Sequence, residues 1–323
     1  MTSGRPRVRL GNSPVEIVPL GVGCWAWGDR EYWRYEQDHG PREVVDAFAA
    51  CLDAGLDFYD TAESYGWGKS EKILGALVRK CGRALVVTTK YAPLGGRGGP
   101  AAIPQALEKS LKRLGLPQLD LYQLHWPDSE EVPIAATMEV FAEAVKAGKT
   151  RAVGVSNFSA AEMHEAYEVL ARRGVPLASN QVHYSLLHRA PEADGVVEAC
   201  RELGVTLLAY SPLEQGLLSG KYTPENLPSG PRAESEAFTP ENVAAAQPLI
   251  AKLRELAATH GVDAGTIAIA WLLAKPGVVP LPGAKSGEQA ARNAKALDVV
   301  LSATDVSALD HLSAAWCKAE EPV

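Results

Sequence analysis

The strongest constraint on what this chain can fold into is an alternation that runs along nearly all of it. Short apolar runs recur at VPLGVG, LDFYD, ALVVTT, LDLYQL, TRAVGV, LASNQV, VTLLAY and GVVPLPG. Between them lie longer stretches with apolar residues three and four positions apart, the spacing of an amphipathic helix. PREVVDAFAACLDAG shows the design, with Pro41 suited to a helix start and Gly55 to its stop. IPQALEKSLKRLG repeats it. SAAEMHEAYEVLARRG opens with Ser159 and carries Glu162 three residues later, the spacing of a capping box. Regular strand–helix alternation demands a parallel sheet. Eight such units in 323 residues favour a closed (β/α)8 TIM barrel over an open sheet.

Two additions frame the barrel. VRLGNSPVEIV reads as an N-terminal hairpin turning at Gly-Asn-Ser-Pro, and TDVSALDHLSAAW as an extra helix at the other end. No linker-like break divides the chain, so residues 1–323 read as one domain. The Pro-, Ser- and Gly-rich stretch 223–242 reads as a flexible loop over a cofactor, since long loops in compact domains are usually functional or mobile.

Composition narrows the function. The net charge is −7 and the pI near 5.6, which is no nucleic-acid footprint. No stretch of about 18 apolar residues could span a membrane, and the basic start MTSGRPRVRL lacks the apolar core of a signal peptide. The five cysteines are scattered, without CxxC or metal-ligand spacing. No metal is expected, and the location expected is the reducing cytoplasm. Cys24 falls near the site, but a lone cysteine is more often a packing residue than a nucleophile.

Four polar residues close apolar runs on what becomes one rim. Asp60 ends LDFYD, Tyr65 follows five residues later, Lys90 ends ALVVTTK and His125 ends LDLYQLH. In a parallel barrel the C-terminal ends of the strands carry the active site. A carbonyl that accepts hydride also needs a proton. Tyr65 can donate one, yet an ordinary phenol has a pKa of about 10. A neighbouring ammonium is expected to lower it, which gives Lys90 a role and Asp60 the task of holding Lys90. His125 can hydrogen-bond the carbonyl oxygen. Singly, Asp60 could cap a turn, Lys90 could be solvated and His125 could end a strand quietly. Their convergence at one rim is what argues for chemistry.

Gly21-Val22-Gly23-Cys24-Trp25-Ala26 also fits G-x-G-x-x-A, a dinucleotide-binding signature. That mechanism needs a helix to start at once. WAWGDREYWRYEQDHGPRE follows instead, without a helical stripe, so the glycines read as turn residues of a barrel loop.

With these residues in place, the chain resembles the aldo-keto reductase family. The likeness rests on FYDTAESYG, TTKY, YQLHWP, AVGVSNFS, SNQVHYSLL, YSPLEQGLLSGKY and PLPGAKSGEQAARN, and covers about Leu20 to Leu297. It implies a (β/α)8 barrel, NADPH (NADP+) as coenzyme, and a catalytic tetrad of Asp60, Tyr65, Lys90 and His125. It further implies that Ser156, Asn157 and Gln181 hold the carboxamide and that Tyr210 stacks on the nicotinamide. Ser211, Leu213 and Gly216 would form the pyrophosphate turn. Gly23, Cys24 and Trp25, with Asp60, would approach from the first loops, Cys24 through its backbone alone. Lys221, Arg232 and Lys285 would bind the 2′-phosphate, and Gly283, Gln289 and Asn293 the adenosine end. Within the family the likeness leans to the plant-type pyridoxal reductase branch, on GCWAWG, QLHW, RGVPLASNQV and LPSGPR, and to the potassium-channel β-subunit branch, which has a lysine at the Lys221 position and an arginine near the Arg232 position.

The expected partner is a small-molecule carbonyl, and the expected assembly a monomer or weak homo-oligomer. Trp27, Trp67, Tyr91 and Trp126 are expected to line the substrate pocket, fitting pyridoxal or another small aromatic or dicarbonyl aldehyde. Trp271 and Trp316 lie on helical stripes and belong to the core. Two rival readings share the residues. A regulatory barrel that binds coenzyme without brisk turnover is separated by steady-state kinetics. A Schiff-base enzyme using Lys90 is separated by borohydride trapping.

Overall fold

The structure is a computed structural model that describes residues 4–93, 99–127 and 133–317. The two ends of the 1–323 span, residues 1–3 and 318–323, lie outside the described residues. Strands β1 (Val8–Arg9) and β2 (Glu16–Ile17) pair antiparallel as the N-terminal hairpin. Eight parallel strands follow: β3 (Gly21–Gly23), β4 (Phe58–Asp60), β5 (Val86–Tyr91), β6 (Leu119–Leu124), β7 (Thr150–Ser156), β8 (Leu177–His183), β9 (Thr206–Tyr210) and β10 (Val278–Leu281). They pair in chain order. The barrel closes where the Gly23 amide donates to the Pro282 carbonyl at 3.0 Å and Gly23 bridges Gly283.

Helices α1 (Pro41–Asp53), α2 (Lys69–Cys81), α3 (Gly99–Leu114), α4 (Ile134–Lys146), α5 (Ala160–Arg172), α6 (Ala190–Ala193), α7 (Val196–Leu203), α8 (Pro240–His260), α9 (Ala264–Leu273), α10 (Gly287–Ala294) and α11 (Ala303–Cys317) surround it. None of them alone is long and apolar enough to cross a membrane. Local chemistry sets their ends. Ser159 caps α5 and Glu162 returns a carboxylate to the Ser159 amide at 2.8 Å. Gly55, two residues beyond α1, takes φ +80°, a conformation that favours glycine.

Period-two alternation sorts the barrel interior. Phe58 and Asp60 share the inner face of β4, and Val86, Thr88 and Lys90 that of β5. The inner residues nearest the N-terminal end are apolar. Phe58, Val86, Leu121, Ala152, Ala178 and Leu208 pack against Leu10, Val15 and Ile17 of the hairpin, which seals that end. Polar side chains begin one layer higher, where Gln123 bonds Thr88 and Ser179 at 3.1 and 3.3 Å. Outward-facing strand residues build the second core with the inner faces of the helices, including Trp271 of α9 and Trp316 of α11.

The glycines of the first apolar run are not turn residues. Gly21 and Gly23 form β3 itself. A Cβ on Gly21 would come within 2.3 Å of Leu281 and 2.8 Å of Phe58. Glycine stands there because the barrel is closing on itself. Nor is the 223–242 stretch featureless. It contains 3-10 turns at Gly230–Glu234 and Glu236–Phe238, Phe238 is buried, and α8 begins inside it at Pro240.

Candidate active site

Register and strand parity bring the four rim residues together. Asp60 pairs with Thr88, and Lys90 lies two residues further along the same face of β5. The lysine side chain reaches back, and Nζ lies 2.6 Å from Asp60 Oδ2, 2.9 Å from the Thr61 carbonyl and 3.3 Å from Tyr65 Oη. Lys90 has no exposed surface and Asp60 almost none. The other Asp60 oxygen accepts from Gln181 Nε2 at 2.9 Å. A buried ion pair survives only when its remaining lone pairs are satisfied, and both carboxylate oxygens here have donors. Tyr65 and His125 meet edge to face at 5.8 Å and line the mouth of the cavity above.

The electrostatics favour proton donation. Burial pushes the Tyr65 hydroxyl above the ordinary phenol range, and Asp60 adds to that. Lys90 pulls the other way but does not prevail, contrary to the expectation that it would lower this pKa. The phenol therefore keeps its proton with an ammonium already at its oxygen, ready to stabilise phenolate once the proton leaves. Burial alone would lower the Lys90 pKa, yet the Asp60 charge, with Tyr65, holds it above the usual lysine value. A Schiff base needs an uncharged amine, so this setting works against that reading. Burial, aided by Lys90, drives His125 down to about 3. It is a neutral imidazole with an N–H to offer. Its Nδ1 is buried without a hydrogen-bond partner among the described residues.

A cavity of about 720 Å³ runs from these residues across the barrel mouth. It is bordered by Ser156, Asn157, Gln181 and Tyr210, then by Ser211, Leu213 and Gly216. Ser156 donates to the Gln181 carbonyl at 2.7 Å and Tyr210 Oη to Asn157 Oδ1 at 3.0 Å, so the strand ends brace one another. Ser211, Glu214 and Gln215 all have positive φ. That sparsely populated conformation folds the turn tightly around the groove. The far end is bordered by Lys221, Arg232, Gly283, Lys285, Gln289 and Asn293. Burial, then Arg232 and Lys221, depress Lys285 to about 8. Three cations thus crowd one end of the groove, a place for a multiply charged anion.

Four residues do not lie where the sequence reading put them. Trp27 is fully buried, edge-on to Phe48 and tilted against Tyr59, with Nε1 donating to the Ala284 carbonyl at 2.8 Å. It wedges α1 against the barrel. Tyr91 follows Lys90 by one residue, so it points to the opposite face of β5 and is buried under the helices. Trp67 follows Gly66 in a left-handed turn, 74% exposed and outside the cavity wall. Cys24 is fully buried, its amide bonded to the Asp60 carbonyl at 2.8 Å and its own carbonyl to Ser70. Gly23 and Trp25, on either side, do border the cavity, and so does Trp126.

Several bordering residues escaped the sequence reading. Trp33, His183, Gln215, Asp263, Thr266 and Arg292 reach the cavity from the β3–α1 loop, the end of β8, the turn after β9, the start of α9 and α10. His183 extends QV-H from a strand end, a position like that of His125, and parity could have found it. Trp25 lies against Tyr65 at 6.0 Å and Trp126 stacks on His125 at 6.1 Å, so a tryptophan flanks each ring at the reacting end.

Three comparisons relate the chain to known proteins. The model of the Aldo/keto reductase family matches residues 19–314. The chain is 35% identical to the chloroplastic pyridoxal reductase of Arabidopsis thaliana, covering 90% of this chain and 81% of that protein. It is 31% identical to the NADH-specific methylglyoxal reductase of Escherichia coli, covering 96% and 98%. Among solved structures, an aldo/keto reductase from Klebsiella pneumoniae in complex with NADP and acetate superposes with a TM-score of 0.75 at 29% identity, covering 96% and 95%.

Proposed function

The chain belongs to the aldo/keto reductase family, and on that premise we propose that it is an NADPH-dependent reductase of small aromatic or dicarbonyl aldehydes, pyridoxal among them. One observation carries the reading: the buried Lys90 ammonium touches Asp60 on one side and the Tyr65 hydroxyl on the other, beside a neutral His125.

The chain's own residues divide the work. Tyr65 Oη delivers the proton to the carbonyl oxygen, and Lys90 stabilises the phenolate left behind. Asp60 keeps Lys90 charged and in place, fixed in turn by Gln181. His125 donates its N–H to the same oxygen and orients the carbonyl. Trp25 and Trp126 flank the two rings and favour a flat substrate by stacking. The nicotinamide, when bound, supplies the hydride. Its carboxamide would be held by Ser156, Asn157 and Gln181 and its ring by Tyr210, with Gly23, Asp60 and Trp25 on the near side. Ser211, Leu213 and Gly216 would take the diphosphate, and Gly283, Gln289 and Asn293 the adenosine.

The groove fits such a coenzyme because its far end carries unneutralised charge. Lys221, Arg232 and Lys285 repel one another, and a 2′-phosphate would relieve that repulsion. This favours NADPH even though one relative is named NADH-specific. The test is a panel of aldehydes and ketones, with pyridoxal and methylglyoxal included, followed by loss of NADPH and, in parallel, NADH absorbance. Faster turnover of aromatic aldehydes with NADPH is the expected result. No turnover of any carbonyl, or a preference for NADH, overturns the proposal.

A further inference from the structure

Trp33 was invisible as a site residue in the sequence, yet it touches both halves of the cation cluster. Arg232 lies over its indole ring at 5.7 Å and Lys285 at 5.1 Å. These cations come from different loops, Arg232 from the stretch between β9 and α8 and Lys285 from the connection between β10 and α10. The ring between them comes from a third, between β3 and α1. Two like charges in one groove drive their loops apart. An aromatic face that attracts both offsets that repulsion without neutralising either. A carboxylate in the same place would neutralise them and spoil the site for an anion.

The tryptophan is itself anchored. Its amide donates to Asp29 Oδ1 at 2.9 Å, and its ring meets Trp25 edge-on at 5.4 Å and Tyr32 at 5.3 Å. Tyr32 in turn hydrogen-bonds Gln215 across the groove. A second observation points to a ligand. Trp33 Nε1 is buried and has no hydrogen-bond partner among the described residues. A donor left unpaired beside Arg232 and Lys285 is complementary to an anionic oxygen.

We propose that Trp33 is a specificity-determining residue of the coenzyme site, holding Arg232 and Lys285 together and so setting the preference for a 2′-phosphorylated coenzyme. The inference rests on the reading of the cation cluster as a phosphate site. Trp33→Leu should weaken NADPH, titrated by its fluorescence, and 2′,5′-ADP, titrated by calorimetry, by about three- to thirtyfold, the range of cation–π energies. NADH should lose less than NADPH, since it carries no 2′-phosphate for Arg232 and Lys285 to hold. Trp33→Phe should restore most of the loss, because it keeps a π face. Equal weakening of NADH and NADPH would reduce Trp33 to a loop support and overturn the proposal. So would a Phe variant no better than Leu. The wild type is read first: equal affinity for NADPH and NADH there overturns the phosphate reading itself, before any variant is compared.

Discussion

The two ends of the cavity handle charge in opposite ways. At the reacting end the charges answer each other. Lys90 and Asp60 are buried as a pair, and every oxygen of the carboxylate has a donor. At the far end Lys221, Arg232 and Lys285 crowd together, and burial, then the two neighbouring cations, depress the pKa of Lys285. An internally balanced site is built to act on a neutral group, whereas an unbalanced one is completed by what it binds. The distinction separates residues whose loss harms the protein from residues whose loss harms only the complex.

The sharpest way to break this contrast is at the proton donor. Tyr65→Phe should lower turnover by about 10²–10⁴-fold, the usual share of general acid catalysis. Coenzyme affinity should hold, as read by NADPH fluorescence. Turnover within a few-fold of wild type would remove Tyr65 from the reaction.

Next comes the matched pair of charge deletions. Lys90→Met strands Asp60 as a buried, uncompensated charge and should cost about 3–5 kcal/mol of stability. Lys221→Ala with Arg232→Ala should cost the free protein much less than Lys90→Met, because the repulsion it removes offsets the lost bonds of Arg232 to the Gln215 carbonyl and the Tyr222 hydroxyl. The same double variant should weaken NADPH by about ten- to a hundredfold and leave NADH nearly alone. If both variants lose stability alike, the contrast between the two ends is false.

The mildest test is pH. Lys285 sits at about 8 when folded, below the ordinary lysine value, because of burial and its cationic neighbours. Between pH 8 and the unfolded value the unfolded chain holds a proton that the folded one has released. On this group's account, the free protein gains stability as pH rises through that window. NADPH affinity should move the other way, falling by about two- to fivefold above pH 8 as the amine loses its charge. NADH affinity should not follow it. A parallel fall for both coenzymes would exclude Lys285 as the cause.

Much of this was legible in the sequence, for identifiable reasons. Asp60, Lys90 and His125 end apolar runs, and in a parallel barrel a strand end is an address. Lys221, Arg232 and Lys285 were placed by family likeness, and all three border the far end of the cavity. Tyr91 was misplaced by adjacency in the chain, although parity alone sends it away from Lys90. Trp27 and Trp33 stand six residues apart in an aperiodic loop, and nothing local tells them apart. One is buried by α1 and the other faces loops some two hundred residues onward, so only the closed barrel sorts them.

The closure of the barrel has a mechanical consequence. The Pro282 carbonyl points at β3, and in an extended strand the N–H of a residue points the same way as its C=O. Residues 280 and 282 both face β3 by that alternation, and both are proline, so neither offers an N–H. At residues 280 and 282 this edge can therefore only accept, as the Pro282 carbonyl does from the Gly23 amide at 3.0 Å. The fit of Leu281 over the bare backbone of Gly21 adds to that contact. The hoop has a clasp fastened by shape as well as by hydrogen bonds, and Gly23 and Gly283 on its two sides both border the cavity. A ligand spanning them works as a pin through that clasp, so slack in the seam is felt first as a looser grip and only later as unfolding.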